Sequence, residues 1–130
     1  MIEMETGWTL EVERGPDWLF IKLGCEPGAL HDADGSNTEG LADRIWSLYE
    51  QHFARRLVVE CDRIELLHSR VLAELIAVHR RVTRQGGVMR ICGLSPLNQQ
   101  VLHSAHLDNY LHSYATRAEA VLTSRPLQPR

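Results

Sequence analysis

A hydroxyl and an imidazole stand side by side at His68-Ser69, residue types that elsewhere make a nucleophile and its base. Neighbouring residues at a strand-to-helix turn point different ways, and no Gly-x-Ser-x-Gly elbow surrounds this serine. No acid stands at a spacing that would complete a triad, so hydrolysis by this pair is not expected. His103 and His106 lie one helical turn apart, a spacing that can chelate a metal, with Cys92 and Asp108 elsewhere in the chain. Two histidines without a clear third and fourth ligand make a weak site, and solvent-facing imidazoles are the expectation. His79 falls on the apolar stripe of a helix and reads as a core or edge residue. The glycine-containing stretch around Gly35 has no Lys-Ser/Thr behind it, which removes a phosphate-binding loop. No convergent acid, base and nucleophile set is readable, so neither an enzyme, a cofactor nor a metal is expected.

The composition agrees with a small soluble globular domain. The chain has 130 residues, 44% apolar and 24% charged, with a net charge of −3. That is enough for one domain with a real core and is typical of soluble globular chains. No apolar run approaches the length of a bilayer span, and Met1-Ile2-Glu3-Met4-Glu5 lacks the features of a secretory leader. A cytoplasmic location is expected. Basic residues are scattered among acidic ones. The cluster Arg80, Arg81, Arg84 reads as a solvated helix face, so nucleic acid is not an expected partner. Of the three cysteines, Cys25, Cys61 and Cys92, the last two sit in apolar strand-like runs, where a free thiol behaves as a small buried hydrophobe.

The elements that must position these groups follow from periodicity. Thr9 to Glu13 alternates apolar and polar, Arg14-Gly15-Pro16-Asp17 supplies a turn, and Trp18 to Leu23 gives a second strand. Gly24 to Asn37 reads as a loop, with Ala29-Leu30 as a candidate short strand. Thr38 reads as the cap of a helix carrying Leu41, Ile45, Leu48, Tyr49 and His52 and ending at Arg55-Arg56. Leu57 to Cys61 is a strand covered on both faces. Ser69 opens the strongest helix, with Leu72, Leu75, Ile76, His79 and Val82 on its inner face and Gly86-Gly87 as its stop. Val88 to Cys92 is another strand. Ser95-Pro96 starts a helix with Leu97, Val101, Leu102 and Ala105 inside. Thr116-Arg117-Ala118-Glu119 is a capping box opening a last short helix, and residues 124–130 form a frayed tail. Trp8, Trp18 and Trp46 read as core or core-edge residues, with an exposed docking anchor as the other use of such a ring. Strands alternating with helices after a hairpin require an α/β fold: a four- to five-stranded mixed sheet with about four helices in a single domain, residues 1–123.

From Leu57 to Leu122 the chain resembles the STAS family, the sulfate-transporter and anti-sigma-factor-antagonist domains. Leu57-Val58-Val59-Glu60-Cys61 is similar to that family's central strand. Leu66-Leu67-His68-Ser69 stands where the family has an apolar pair followed by Asp-Ser. Gln85-Gly86-Gly87, Arg90-Ile91-Cys92-Gly93-Leu94-Ser95-Pro96 and Leu107-Asp108-Asn109-Tyr110-Leu111 match later pieces in the same order. The resemblance implies a domain that binds an anti-sigma factor with serine kinase activity and is phosphorylated at the serine matching Ser69. A docking patch of His68, Ser69, Arg70 and Val71, with parts of the loop from Glu26 to Asn37, follows from it. Three positions depart from the pattern: His68 replaces Asp, Arg70 replaces a small polar residue, and Val71 replaces Gly. The departures make room for a second reading, a STAS-like accessory subunit that docks to a transporter's ATPase without phosphorylation. On residue physics alone, Ser69 is a helix cap whose loss costs about 1 kcal/mol.

Overall fold

The alternating and apolar N-terminal runs become strands β2 (Trp8–Arg14) and β3 (Leu19–Cys25), paired antiparallel from Trp8↔Cys25 to Arg14↔Leu19. The Gly15 amide donates to the Trp18 carbonyl at 2.8 Å to close their turn. These coordinates come from a computed structural model that describes residues 2–4, 7–25, 38 and 40–122. Ile2–Glu3 forms β1 against β2, and β4 (Arg56–Glu60), β5 (Val88–Cys92) and β6 (Ser113–Tyr114) follow β3 in parallel. The sheet order is β1-β2-β3-β4-β5-β6. Parallel neighbours need crossovers, which are helices α1 (Leu41–Gln51), α2 (Ser69–Arg84) and α3 (Pro96–Ser104); α4 (Arg117–Leu122) follows β6.

Six strands stand where four or five were expected. The extra two are the two-residue strands β1 and β6, too short to leave a period in the sequence.

The two sheet faces are unequal. Leu57 and Val59 of β4 join Ile21, Ile91 and the inner stripes of α1 and α2 in the larger core, whereas Val58 joins Trp18, Phe20, Cys92, Tyr114 and Ala120 of α4 on the other side. A strand buried on both faces reads as a nearly continuous apolar run, as Leu57 to Val59 does before the buried Glu60. Cys61 and Cys92 are buried as expected, on opposite faces. Burial pushes the Cys92 thiol up to about 12 and Cys61 higher still, so both are inert thiols.

Several local expectations shift. Gly40, not Thr38, caps α1. A glycine offers no side chain, and the Ala42 amide is met instead by the Glu74 carboxylate of α2 at 3.1 Å. The helix ends at Gln51, and Arg56 already belongs to β4. The buried stripe of α2 is Val71, Leu72, Leu75, Val78 and Val82, with Ile76 and His79 half-buried at its edge. On α3 the buried residues are Asn98 and Leu102, while Leu97 is 55% exposed and Ala105 lies outside. Thr116 Oγ1 accepts the Glu119 amide at 3.2 Å, one arm of the expected capping box. Trp8 and Trp18 are core, and Trp46 is half-buried, stacked on Tyr49 at 5.4 Å. Gly24 extends β3 instead of opening a loop. The Ala29-Leu30 strand, Gly35 and the tail from residue 124 lie outside the described residues. Among the described residues no helix is long and apolar enough to cross a membrane.

Where β4 and β5 end, the two chains touch. Gly93 has φ +78°, and a Cβ there would lie 2.9 Å from Asp62 Cβ and 3.0 Å from the Asp62 amide nitrogen. Both the backbone conformation and the close approach exclude a side chain. Replacing Gly93 with Ala is expected to lower unfolding free energy by about 1–3 kcal/mol in urea titrations, the cost of overpacking plus a strained φ.

Candidate functional site

Beyond β4 the chain crosses the carboxyl end of the sheet to reach α2. The Cys61 amide donates to the Cys92 carbonyl at 2.8 Å, and the Ile64 amide turns back on the Cys61 carbonyl at 3.0 Å. Ile64 and Leu67 then bury their side chains in the core. Burying them drags backbone groups out of water, and those groups must find partners. Asn98 supplies them. Its Oδ1 accepts the Leu67 amide at 2.8 Å, and its Nδ2 donates to the Ile64 carbonyl at 3.0 Å. Asn98 is fully buried on the first turn of α3, where its own amide donates to Ser95 Oγ at 3.1 Å. Ser95 is the expected cap and Pro96 the first helical residue. The chain from serine cap to asparagine thus fixes the loop that precedes α2.

Sequence reasoning missed Asn98. It lies four residues before Leu102 on the same face, so a polar residue on the buried stripe was the available signal.

His68 is the N-cap of α2, with extended backbone at φ −67° and ψ 157°, and its carbonyl accepts the Leu72 amide at 3.0 Å. Ser69 is therefore the first helical residue, not the cap, and among the described residues no hydrogen bond holds its hydroxyl. His68 makes no capping bond either, and the first turn holds no acid. The helix start so presents free amides, an exposed serine and the exposed Arg70 to solvent. Val71 is different. It is 1% exposed and packs with Leu75, Val78 and Val82, so its side chain drops out of any surface patch. The residues that the fold brings together at the surface are His68, Ser69 and Arg70. The segment from Glu26 to Asn37 lies outside the described residues.

Ser69 and Arg70 also border an open groove of about 860 Å³ between α1 and α2. Small residues, Ala73 and Ala77, line it beside charged ones. Arg81 crosses from α2 to Asp43 of α1 at 3.1 Å and covers the Trp46 ring at 5.8 Å. The groove has charged walls of both signs with alanines between them.

The other candidates separate in space. His103 Nδ1 pairs with Asp108 at 2.8 Å, and this contact holds the Asp108 carboxyl below its ordinary range. His106 is exposed at a left-handed position, φ +59°. Among the described residues no group of three His, Cys, Asp or Glu could hold a metal. His79 lies against the Tyr110 ring at 4.5 Å, and burial pushes its pKa down. A second buried polar assembly also escaped the sequence. Glu60, 6% exposed, receives two bonds from Arg117 at 3.1 and 2.6 Å, and the guanidinium covers the Phe20 ring at 4.3 Å. That pair ties α4 to the sheet.

A mixed sheet with its crossover helices on one face, a short helix on the other and an exposed serine at the start of the long crossover helix defines a STAS-type domain. The family model for the STAS domain matches residues 32–120, and the chain belongs to that family. Among solved structures it is similar to an anti-sigma factor antagonist from Mycobacterium paratuberculosis, at 19% identity and TM-score 0.70, covering 92% of this chain and 96% of that one. An anti-sigma-factor-antagonist (STAS) domain protein from Planctomyces limnophilus is 22% identical with TM-score 0.70, over 87% and 95% of the two chains. The Bacillus cell fate determinant SpoIIAA in its phosphorylated form is 18% identical with TM-score 0.60, over 87% and 96%. No curated protein matches the sequence. At such identities the structural likeness carries the fold, and the family match carries the membership.

Two serines at helix starts should behave oppositely. Ser95→Ala is expected to cost about 1 kcal/mol of stability, as a lost cap does. Ser69→Ala should stay within about 0.5 kcal/mol, as at any exposed site without a structural bond. Asn98→Ala should cost about 2–5 kcal/mol, because two buried backbone groups lose their partners. Urea denaturation of the three variants checks the order, and amide exchange at Leu67 should rise only in Asn98→Ala.

Proposed function

We propose that this chain is an anti-sigma factor antagonist, a non-catalytic docking protein whose rim of His68, Ser69 and Arg70 meets an anti-sigma factor with serine kinase activity. Phosphorylation of Ser69 is its switch. The observation that carries the reading is the state of Ser69 itself: exposed, at the first turn of α2, and free of any structural hydrogen bond among the described residues. Such a hydroxyl is open to a kinase, and its modification takes nothing from the fold.

Electrostatics support the same reading. A phosphate brings about −1.5 to −2 charges at neutral pH. At the start of α2 it meets unpaired amides, the positive end of the helix dipole and the neighbouring Arg70, with no acid in the first turn to oppose it. A partner packed on that spot meets new charge and a strongly hydrated group, so binding falls while the domain stays folded. SpoIIAA, similar in fold, is known in an unphosphorylated and a phosphorylated form. Of the three departures from the family pattern, Val71 has its side chain inside the core, so it leaves a partner's approach to the rim unchanged. His68 and Arg70 remain, and both make the rim more basic than an Asp-Ser start would be.

That basic rim favours a second reading, constitutive docking to an ATPase of a membrane transporter without phosphorylation. The two diverge at one position. Captured from native cytosol and membrane fractions on wild-type and Ser69→Glu baits, a kinase-like regulator should bind wild type at least about tenfold better, the equivalent of 1.4 kcal/mol. Incubation with that kinase should add the mass of one phosphate to the peptide bearing Ser69. Equal retention of one partner on both baits, with no mass gain, would contradict the switch and favour the constitutive role.

A further inference from the structure

We propose that the end of the sheet opposite Ser69 is a self-association surface, on which Phe53 of one copy enters a hollow of a second copy of this chain. The proposal is independent of the Ser69 reading. Ser69 follows the last residue of β4, whereas Phe53 precedes its first.

Helix α1 ends in a tight double turn: the Phe53 amide donates to the Glu50 carbonyl at 3.0 Å and the Ala54 amide to the Tyr49 carbonyl at 3.3 Å. That pattern places Phe53 at the left-handed position after the helix, φ +50°, where glycine is the usual occupant. A bulky side chain is disfavoured in that conformation. Nor does the ring help the core, since Phe53 is 89% exposed, the most exposed aromatic among the described residues. Folding therefore explains neither the residue nor its placement. A bulky residue in a disfavoured backbone conformation, with its ring in water, points to an external contact.

The surroundings indicate what that contact is. Phe53 stands between two hollows: one of about 510 Å³ with Trp46, Tyr49, Glu50 and Arg55 on its walls, and one of about 390 Å³ with Trp18, Arg14, Arg56 and Asp17. A knob beside a socket on one patch is what a two-fold contact requires, because each copy then offers both halves. The charges fit the same solution. Arg14, Arg55 and Arg56 alternate with Asp17 and Glu50, so a partner of a single sign, such as nucleic acid or an anionic membrane, meets repulsion somewhere on the patch. A rotated second copy instead sets Glu50 of each chain towards Arg55 of the other. Several of these groups are already fixed: Arg14 donates to the His52 carbonyl, and the Arg56 guanidinium lies 5.6 Å from the Trp18 ring centroid. Little order is then lost on association.

Sedimentation equilibrium of the full chain from micromolar to millimolar concentration tests this, with wild type, Phe53→Gly, Glu50→Arg, Arg55→Glu and an equimolar mixture of the last two. Wild type should show a concentration-dependent dimer. Phe53→Gly should weaken it by at least roughly thirtyfold, the loss typical of a central aromatic anchor, while its thermal midpoint, read at a concentration where wild type is monomeric, stays level or rises. Each charge reversal should weaken self-association, and the mixture should recover it as a heterodimer. A wild type that stays monomeric throughout would overturn the proposal, including one that binds an unrelated protein through Phe53. So would Phe53→Gly dimerising like wild type, or a fall in its thermal midpoint, which would make the ring a folding residue.

Discussion

One buried amide holds the presenting end of this domain in place. Asn98 bonds the Leu67 amide and the Ile64 carbonyl, and without it the turn between β4 and α2 would bury two backbone groups with no partner. Each such group costs about 1–3 kcal/mol when left unpaired, so the loop has one favourable path and little freedom around it. The consequence reaches the surface directly. Leu67 is locked one residue before the cap His68, and Ser69 and Arg70 follow on a helix that Val71, Leu72 and Leu75 anchor in the core. A flexible serine loop would require ordering before a partner could dock. Here the serine is displayed on a preorganised platform.

The rest of the architecture serves that platform from a distance. Gly93 lets the ends of β4 and β5 lie close enough for Cys61 to donate to Cys92, which starts the loop on its path. Glu74 closes the open start of α1 and Arg81 reaches Asp43, so α1 and α2 are joined by polar contacts as well as by their apolar stripes. On the far face, the pair of Glu60 and Arg117 secures α4 over the sheet. In an open α/β sheet the carboxyl ends of the parallel strands are where loops converge and partners bind, and the Ser69 rim sits there.

Much of this was legible in the sequence, for reasons that differ by element. The hairpin, β4, β5 and α2 announce themselves because burial imposes a period on many residues at once, and Ser95-Pro96 because a cap has its own chemistry. Two-residue strands impose no period, so β1 and β6 were invisible. Inner faces were misjudged where one polar residue belongs inside: Asn98 lies within the core and Leu97 outside it, an inversion that hydrophobicity alone cannot anticipate. The exchange of cap between His68 and Ser69 has a related cause. Serine is the better capping residue, so propensity selected it, yet the backbone path set by Asn98 makes His68 the extended residue and leaves Ser69 helical. The family pattern pointed to Ser69, and the structure leaves that serine exposed and without a structural hydrogen bond among the described residues. It also places Val71 within the core, where the sequence alone had set it on the patch.

The central claim is that charge at Ser69 acts on binding and leaves the platform untouched. The most direct test is amide hydrogen exchange on the protein carrying phosphoserine at position 69, beside the unmodified protein, together with the affinity of each for the same kinase-like partner. The account predicts that protection of the Leu67 amide, the proton held by Asn98, stays the same in both forms while partner binding is lost on phosphorylation. Loss of Leu67 protection in step with lost binding would contradict it, because the switch would then work by unfolding the platform.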